Sequence, residues 1–168
     1  MSEDTTRFRV EERAAQPYAY VSDAGVFAGN FAVIADRFGE VFGWLAERGI
    51  EPTGPVLFNY KVINMPGPMH IEAGVPIASE VDGDEAVSAG VLPAGRYVTV
   101  RHIGHPDGLM EATRELLEWA EGQGLEFDQW DSPGGHNWAC RTEWYFSDPT
   151  EVPDLNQWET ELAFKLTS

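Results

Sequence analysis

Glu143 is the residue whose type and surroundings best suit chemistry, because it interrupts a mostly apolar, strand-like run at residues 138–146. Side chains alternate across a strand, so Glu143 and Tyr145 are expected on one face and Trp144 and Phe146 on the other. A carboxylate among aromatic rings can hold a lipophilic cation by Coulomb attraction, to which the rings add cation–π contacts. Desolvation would also raise its pKa and equip it as a general base toward a bound water.

Two structural interpretations of Glu143 stand beside the functional one. The residue could lie on the solvent face of an edge strand. It could also pair with Arg141, which is two residues away on the same face. The strand pattern by itself gives these interpretations and the functional one about equal weight.

An internal repeat could bring further side chains to Glu143. Residues 44–50 and 119–125 each begin with Trp and close a helical stretch, at an offset of 119 − 44 = 75 residues. A tyrosine-containing strand precedes each helix and two strand-like runs follow it, so each copy is a strand-helix-strand-strand unit. Aligning Tyr60 with Tyr145 gives an offset of 145 − 60 = 85, which places Phe58 and Tyr60 on the face of Glu143. The predicted site is an acid with three aromatic rings.

The repeat predicts an α+β fold, built as a pseudo-twofold duplication of that unit within one domain of residues 1–168. The first copy covers about residues 7–78, an acidic connector residues 79–85, and the second copy about residues 86–168. We expect antiparallel sheets with the helices on one face and a ligand groove between the two copies.

Local patterns predict the elements that would position these side chains. Apolar residues at spacings of three and four predict amphipathic helices from Phe27 to Leu45 and from Leu109 to Ala120. Residues 127–136 are predicted to be a loop, about ten residues longer than its counterpart because 85 − 75 = 10. This loop would bring Trp130 and Trp138 toward the groove. Strands are predicted at residues 55–63, 69–77, 87–92, 95–103, 137–147 and 157–166, with a turn at 64–68.

Other candidate chemical groups are weaker. Glu72, within residues 70–76, is a second acid to which the same argument applies. His102, His105 and His136 have no partner at metal-ligand spacing, so no metal site is predicted. A serine nucleophile elbow and a glycine-rich phosphate loop are both absent from the sequence, and no cofactor is expected. The single cysteine, Cys140, is predicted to be a small core residue.

Charge and composition narrow the classes of partner. The 168 residues carry a net charge of −17, from 28 acidic and 11 basic side chains, which argues against direct binding of nucleic acid. The N-terminus lacks an apolar signal region, and no apolar run is long enough to cross a membrane. A cytoplasmic protein without a membrane partner is expected, and its oligomeric state is not predicted.

The sequence resembles the GyrI-like small-molecule-binding domain, which also forms the effector domain of multidrug-sensing transcription regulators. The resemblance covers nearly the whole chain and rests on five segments in the right order: residues 58–60, 71–77, 92–97, 101–109 and 142–149. It implies a groove for planar, often cationic, aromatic compounds, with the family's central acidic residue at Glu143. Without the DNA-binding helices of the regulators, the chain looks like a stand-alone member.

Stand-alone members of similar sequence suggest three functional classes. The first is a binder of planar aromatic, cationic or lipophilic molecules that protects the cell from toxic compounds. The second is a cofactor-free hydrolase that opens the cyclopropane ring of DNA-alkylating natural products. There Glu143 would act as base, Tyr60 or Tyr145 would orient water or donate to the leaving oxygen, and Trp138 and Trp144 would clamp the substrate. The third, ranked behind both, is an acidic inhibitor of DNA gyrase.

Overall fold

The computed structural model of the protein describes residues 7–26, 32–64, 67–133, 135–147 and 151–167. These residues form ten β-strands, three α-helices and two short 3₁₀ turns at Pro106–Gly108 and Leu155–Gln157. The helices are α1 (Ala32–Ala35), α2 (Phe38–Glu47) and α3 (Leu109–Gly122). The strands are β1 (Arg9–Arg13), β2 (Gln16–Val26), β3 (Val56–Ile63), β4 (Met69–Pro76), β5 (Ser88–Leu92), β6 (Gly95–Ile103), β7 (Gln129–Ser132), β8 (Gly135–Trp138), β9 (Arg141–Tyr145) and β10 (Glu159–Lys165).

All ten strands belong to one antiparallel sheet. Its order is β1-β6-β10-β9-β3-β4-β2-β5, and the β7–β8 hairpin is attached to β3 through β8. Strands β3 and β9 pair at the centre, where Phe58 lies opposite Glu143. The predicted α+β fold with antiparallel pairing is confirmed. The expectation of separate sheets is wrong, because the β3–β9 ladder joins both halves into one.

The sheet is strongly curled, because short connections join strands from its opposite ends. Residues 14–15 connect β1, the first strand in the sheet order, to β2, the seventh. In a flat sheet these strands would lie about 29 Å apart, at about 4.8 Å per strand. The three residue steps from Arg13 to Gln16 span at most about 11 Å. Residues 93–94 connect β5 and β6 in the same way, so the two ends of the sheet approach each other as in a half-barrel.

The helices cover one face of the sheet, which we call the helix face. Helix α2 packs over β2 and β4, where Trp44 and Leu45 join one apolar cluster. Helix α3 packs over β6, where Leu116 joins a second cluster. Tyr145 packs against both clusters. The central strands β3 and β9 therefore present their side chains between the two helices.

The opposite face, which we call the inner face, is enclosed by the curl of the sheet. It carries a third buried cluster, made of Tyr18, Leu57, Leu92, Tyr97, Cys140 and Ala163. The connections at residues 14–15 and Pro93 lie over this cluster, since they line a cavity of about 280 Å³ together with Tyr97 and Cys140. Burial raises the pKa of the Cys140 thiol to about 11, which confirms the prediction of a core cysteine.

The first predicted helix is broken within the described residues. Phe27 and Phe31 lie outside the described residues, and the remainder forms α1 and α2 with a turn between them at residues 36–37. The Arg37 side chain stabilises this turn, because it donates to the Ser22 carbonyl at 3.1 Å and to the Glu40 carboxylate at 3.0 Å. The expected continuous helix is therefore wrong at this point.

The predicted long loop before Glu143 is instead the β7–β8 hairpin. Strand β8 continues the sheet beside β3, with Asn137 opposite Val62. Gly135 has a φ of +130°, and a Cβ atom there would lie 2.5 Å from the Ile63 carbonyl oxygen, so only glycine allows this close approach. The predicted strand at residues 137–147 is split at 139–140. Residues 65–66 of the predicted turn and Gly134 lie outside the described part of the chain.

None of the helices in the described ranges is long and apolar enough to cross a membrane.

Candidate functional site around Glu143

Glu143 lies in the middle of the sheet rather than at an edge. Its strand, β9, is flanked by β10 and β3, and its ladder partners are Leu162 and Phe58. Leu162 belongs to the apolar cluster under α3, so the Glu143 side chain lies on the helix face. The interpretation of Glu143 as an exposed residue on an edge strand is therefore wrong. The residue is half-buried.

Two tyrosine hydroxyls donate to one oxygen of the Glu143 carboxylate. The Tyr60 hydroxyl is 2.8 Å from Oε1 and the Tyr145 hydroxyl is 2.5 Å from the same atom. No hydrogen bond among the described residues ends on Oε2. Burial raises the pKa of Glu143, although both tyrosine hydrogen bonds and the charge of Arg141 favour the ionised form. Burial and the neighbouring carboxylate also hold the pKa values of Tyr60 and Tyr145 well above 10.

Arg141 shares the helix face with Glu143 but forms no direct ion pair with it among the described contacts. Its guanidinium carbon lies 4.6 Å from the centre of the Phe164 ring, 4.8 Å from Trp138 and 5.9 Å from Tyr60. Burial lowers the pKa of Arg141 to about 10, while Glu143 and Tyr60 raise it. The two charges therefore influence each other without a salt bridge.

An aromatic cavity of about 620 Å³ adjoins the Glu143 cluster through Tyr145, whereas Glu143, Tyr60 and Arg141 are not among its described lining residues. Phe58 and Tyr145 line it, and their rings meet edge to face with centres 5.5 Å apart. Phe38 of α2 stacks on Phe58 at 5.4 Å and forms part of the wall. The volume is within the range of small-molecule sites, and the apolar lining beside a few polar groups is typical of them. The described lining residues are Ala35, Phe38, Phe42, Gly54, Pro55, Val56, Phe58, Tyr145, Phe146, Ser147 and Trp158.

The three predicted tryptophans are not among the described residues that line this cavity. Trp138 is 3% exposed and packs against Phe127 and Phe164 in the core. Trp144 lies on the inner face, as alternation predicts, and its Nε1 donates to the Thr142 hydroxyl at 2.9 Å. Trp130 is 54% exposed on the β7–β8 hairpin. None of these placements brings a tryptophan to Glu143, so the proposed site does not include them.

Glu72 lies on the inner face, away from the Glu143 cluster. It pairs in the ladder with Asn59. Leu57 lies two residues before Asn59, and therefore on the same face of β3, and it belongs to the inner-face cluster. Its Oε1 accepts from the Tyr18 hydroxyl and from the Asn59 amide, the latter at 3.2 Å. Only 6% of the residue is exposed, and burial raises its pKa. The two predicted acids therefore form separate sites.

Sequence reasoning did not identify three residues of this region. Phe38 belongs to the apolar stripe of the predicted helix, but that stripe does not indicate which aromatic side chain reaches the site. The sequence indicates Arg141 only as an ion-pair partner of Glu143. Trp158 reaches the cavity from the turn before β10, and no sequence pattern marked it.

Three solved structures illustrate the likeness of this fold to known ones. The C-terminal domain of EcmrR matches with a TM-score of 0.74 and 19% identity, over 96% of this chain and 97% of that one. A hydrolase from Listeria innocua matches with a TM-score of 0.62 and 12% identity, over 96% and 92%. SAV2435, solved bound to tetraphenylphosphonium, matches with a TM-score of 0.57 and 11% identity, over 96% and 94%. At these identities the likeness shows the fold alone.

No curated protein is similar enough to match the sequence. The family model of the GyrI-like small molecule binding domain matches residues 6–167, which is nearly the whole chain. The chain therefore belongs to the GyrI-like family of small-molecule-binding domains.

Proposed function

We propose that the protein binds planar aromatic, cationic or lipophilic small molecules in the cavity beside Glu143, and that it protects the cell from toxic compounds of this kind. The observation that carries the proposal is a half-buried carboxylate held by two tyrosines, one of which, Tyr145, lines an aromatic cavity of about 620 Å³. The proposed binding residues are Glu143, Tyr60, Tyr145 and Phe58, with Phe38 as an added wall.

The arrangement suits ligands that are both aromatic and polar. Because both tyrosines donate to Oε1, they orient the carboxylate and leave Oε2 for a ligand cation or N–H group. Attraction between charges is stronger here than in water, since the site is partly desolvated. The rings of Phe38, Phe58 and Tyr145 offer stacking and edge contacts to a planar ligand.

The sequence repeat supports this location. Phe58 and Glu143 are 143 − 58 = 85 residues apart, the offset found between the copies, and they lie directly opposite each other in the β3–β9 ladder. We infer a pseudo-twofold axis through this pair, with the site where the two copies meet. SAV2435 shares the fold and was solved with tetraphenylphosphonium, a lipophilic aromatic cation, which is consistent with such a ligand here.

A fluorescence titration tests the proposal, because Trp158 lines the cavity. Tetraphenylphosphonium is expected to change tryptophan fluorescence saturably, and Glu143→Gln is expected to weaken binding about tenfold, or about 1.4 kcal/mol. Glu121→Gln is the matched control, since it removes the same charge from the exposed surface of α3. Equal affinities of wild type and Glu143→Gln would contradict the role of Glu143.

A second candidate function is cofactor-free hydrolysis of a cyclopropane-bearing alkylating agent. It is favoured by the raised pKa of Glu143 and by Oε2, which has no described hydrogen bond and can accept a proton from water. The water oxygen would bond to a cyclopropane carbon while the ring C–C bond breaks and its electron pair moves to the conjugated oxygen. Tyr60 and Tyr145 both donate to Glu143, so they would orient this base.

Chromatography of such a compound incubated with the protein distinguishes the two candidates. Recovery of the intact compound supports binding alone, and accumulation of a water adduct supports hydrolysis. A Glu143→Gln variant that binds the compound and still converts it at the wild-type rate would rule out Glu143 as the base.

A further inference from the structure

Arg141 is a half-buried cation next to Glu143, and the described contacts do not fully satisfy its hydrogen-bonding groups. Its guanidinium packs against the rings of Phe164, Trp138 and Tyr60 at 4.6, 4.8 and 5.9 Å. Its Nε atom is buried and has no hydrogen-bond partner in the described part of the chain. Tyr60 also donates to Glu143, so Arg141 and Glu143 belong to one cluster.

A buried donor without an acceptor destabilises the folded protein, and native structures rarely keep one without a reason. An apolar side chain such as methionine would fill the space over the three rings without that penalty. Burial also lowers the pKa of Arg141 to about 10, because the charged guanidinium is partly removed from water. Nε itself is buried, but the residue is half-buried, so an acceptor on a ligand would stabilise the charge of the guanidinium from the accessible part of the side chain.

Arg141 also changes the charge of the site. Glu143 and Arg141 lie on the same face of β9, two residues apart, so their Cα atoms are about 6.6 Å apart along the strand. An anionic and a cationic group at this spacing leave the cluster with no net charge when both are ionised. A ligand with a permanent positive charge and no acceptor would be attracted by one group and repelled by the other.

We propose that the preferred ligands are aromatic molecules that carry both a cationic or N–H group for Glu143 and a carboxylate or carbonyl acceptor for Arg141. This inference rests on the function proposed above and narrows its ligand class. Zwitterionic aromatic compounds should bind more tightly than purely cationic ones. Arg141 acts as the binding residue for the acceptor.

A rhodamine acid and its methyl ester test the inference, because they share one cationic ring system and differ in a single carboxylate. At neutral pH the acid is zwitterionic and the ester is a net cation. By fluorescence anisotropy, the wild-type protein is expected to bind the acid about tenfold more tightly than the ester. Arg141→Met is expected to remove this preference, and Arg141→Lys to retain part of it because the charge remains.

The control is Arg114→Met, which removes the same charge from the exposed surface of α3 and should leave the preference unchanged. Thermal melting checks that each variant is folded. The comparison of acid and ester binding to the wild-type protein does not depend on the folding of any variant. Equal binding of acid and ester to the wild type would overturn the inference, as would an unchanged ratio in folded Arg141→Met. Binding of tetraphenylphosphonium without binding of the acid would overturn it and leave the proposed function standing. Binding of none of these compounds would overturn both.

Discussion

Glu143 on the helix face and Glu72 on the inner face have nearly the same chemical surroundings. Each carboxylate accepts two hydrogen bonds on Oε1, and at least one donor in each case is a tyrosine hydroxyl. Burial raises the pKa of both. They differ in access: Glu143 is half-buried and its partner Tyr145 lines a cavity of about 620 Å³, whereas Glu72 is 6% exposed and bonded to the buried Tyr18.

The comparison shows that a raised pKa and tyrosine partners do not by themselves identify a ligand site. Glu72 also connects neighbouring strands, since Asn59 donates to it and accepts from the Arg141 backbone N–H at 3.2 Å. This network joins β4, β3 and β9 directly behind the Glu143 cluster. Glu72 is therefore suited to hold the sheet in register, while Glu143 is the acid that we propose contacts a ligand.

The largest expected effect is on stability, from Tyr18→Phe on the inner face. The change removes a buried hydrogen bond to the Glu72 carboxylate and is expected to lower the free energy of unfolding by about 2–3 kcal/mol. Denaturant unfolding measures this loss. Affinity for tetraphenylphosphonium should stay within about twofold of wild type. A Tyr18→Phe variant that keeps its stability but no longer binds tetraphenylphosphonium would contradict the assignment of stability to the inner face and of binding to the helix face.

Tyr145→Phe makes the matching change on the helix face, and its main effect should be on binding. Loss of one of the two hydroxyls that orient Glu143 is expected to weaken ligand affinity about tenfold, or about 1.4 kcal/mol. Tryptophan-fluorescence titration with tetraphenylphosphonium provides the measurement. The loss of stability should be smaller than for Tyr18→Phe, because solvent can reach Glu143. Equal losses of stability in Tyr145→Phe and Tyr18→Phe would contradict the proposal that Glu143 and Glu72 differ in their access to solvent.

Glu72→Gln should show a stability difference that depends on pH. Because the folded-state pKa of Glu72 lies above 4.5, its stabilising contribution is fully present below about pH 4.5 and is lost as pH rises through the raised value. The variant should therefore be more stable than wild type at pH 8, by about 1.4 kcal/mol per unit of raised pKa, and the gain should shrink toward pH 4.5. Thermal melts of both proteins across this range provide the test. A gain of equal size at both pH values would show that the charge of Glu72 is not its cause.

The smallest effect is expected from Trp130→Ala on the exposed hairpin. The residue is 54% exposed and is not among the described residues that line the cavity, so the free energy of unfolding should change by less than about 0.5 kcal/mol. Ligand affinity should be unchanged in the same titration. A clear loss of affinity would extend the site to the hairpin, as the sequence first suggested.

Much of the Glu143 cluster could be predicted because it depends on side-chain alternation within one strand and on the internal repeat. Alternation placed Tyr145 beside Glu143, and the 85-residue offset placed Phe58 and Tyr60 on the same face, as the β3–β9 ladder shows. The face of Glu72 could not be predicted in this way, because it depends on the register between β3 and β4. The β7–β8 hairpin was missed for a related reason: its pairing with Val62 is a long-range contact that leaves no local pattern.

The curl of the sheet has a consequence for how the chain folds. Strand β1 pairs with β6, where Arg9 lies opposite Thr99, and β5 pairs with β2. Each half therefore supplies an outer strand to the other half, and neither can complete its own sheet alone. Contacts between residues so distant in sequence slow folding, because a long segment must be ordered before they form. During synthesis β1 cannot pair with β6 until about 90 further residues have been added to the chain. The two halves are therefore expected to gain their final structure together.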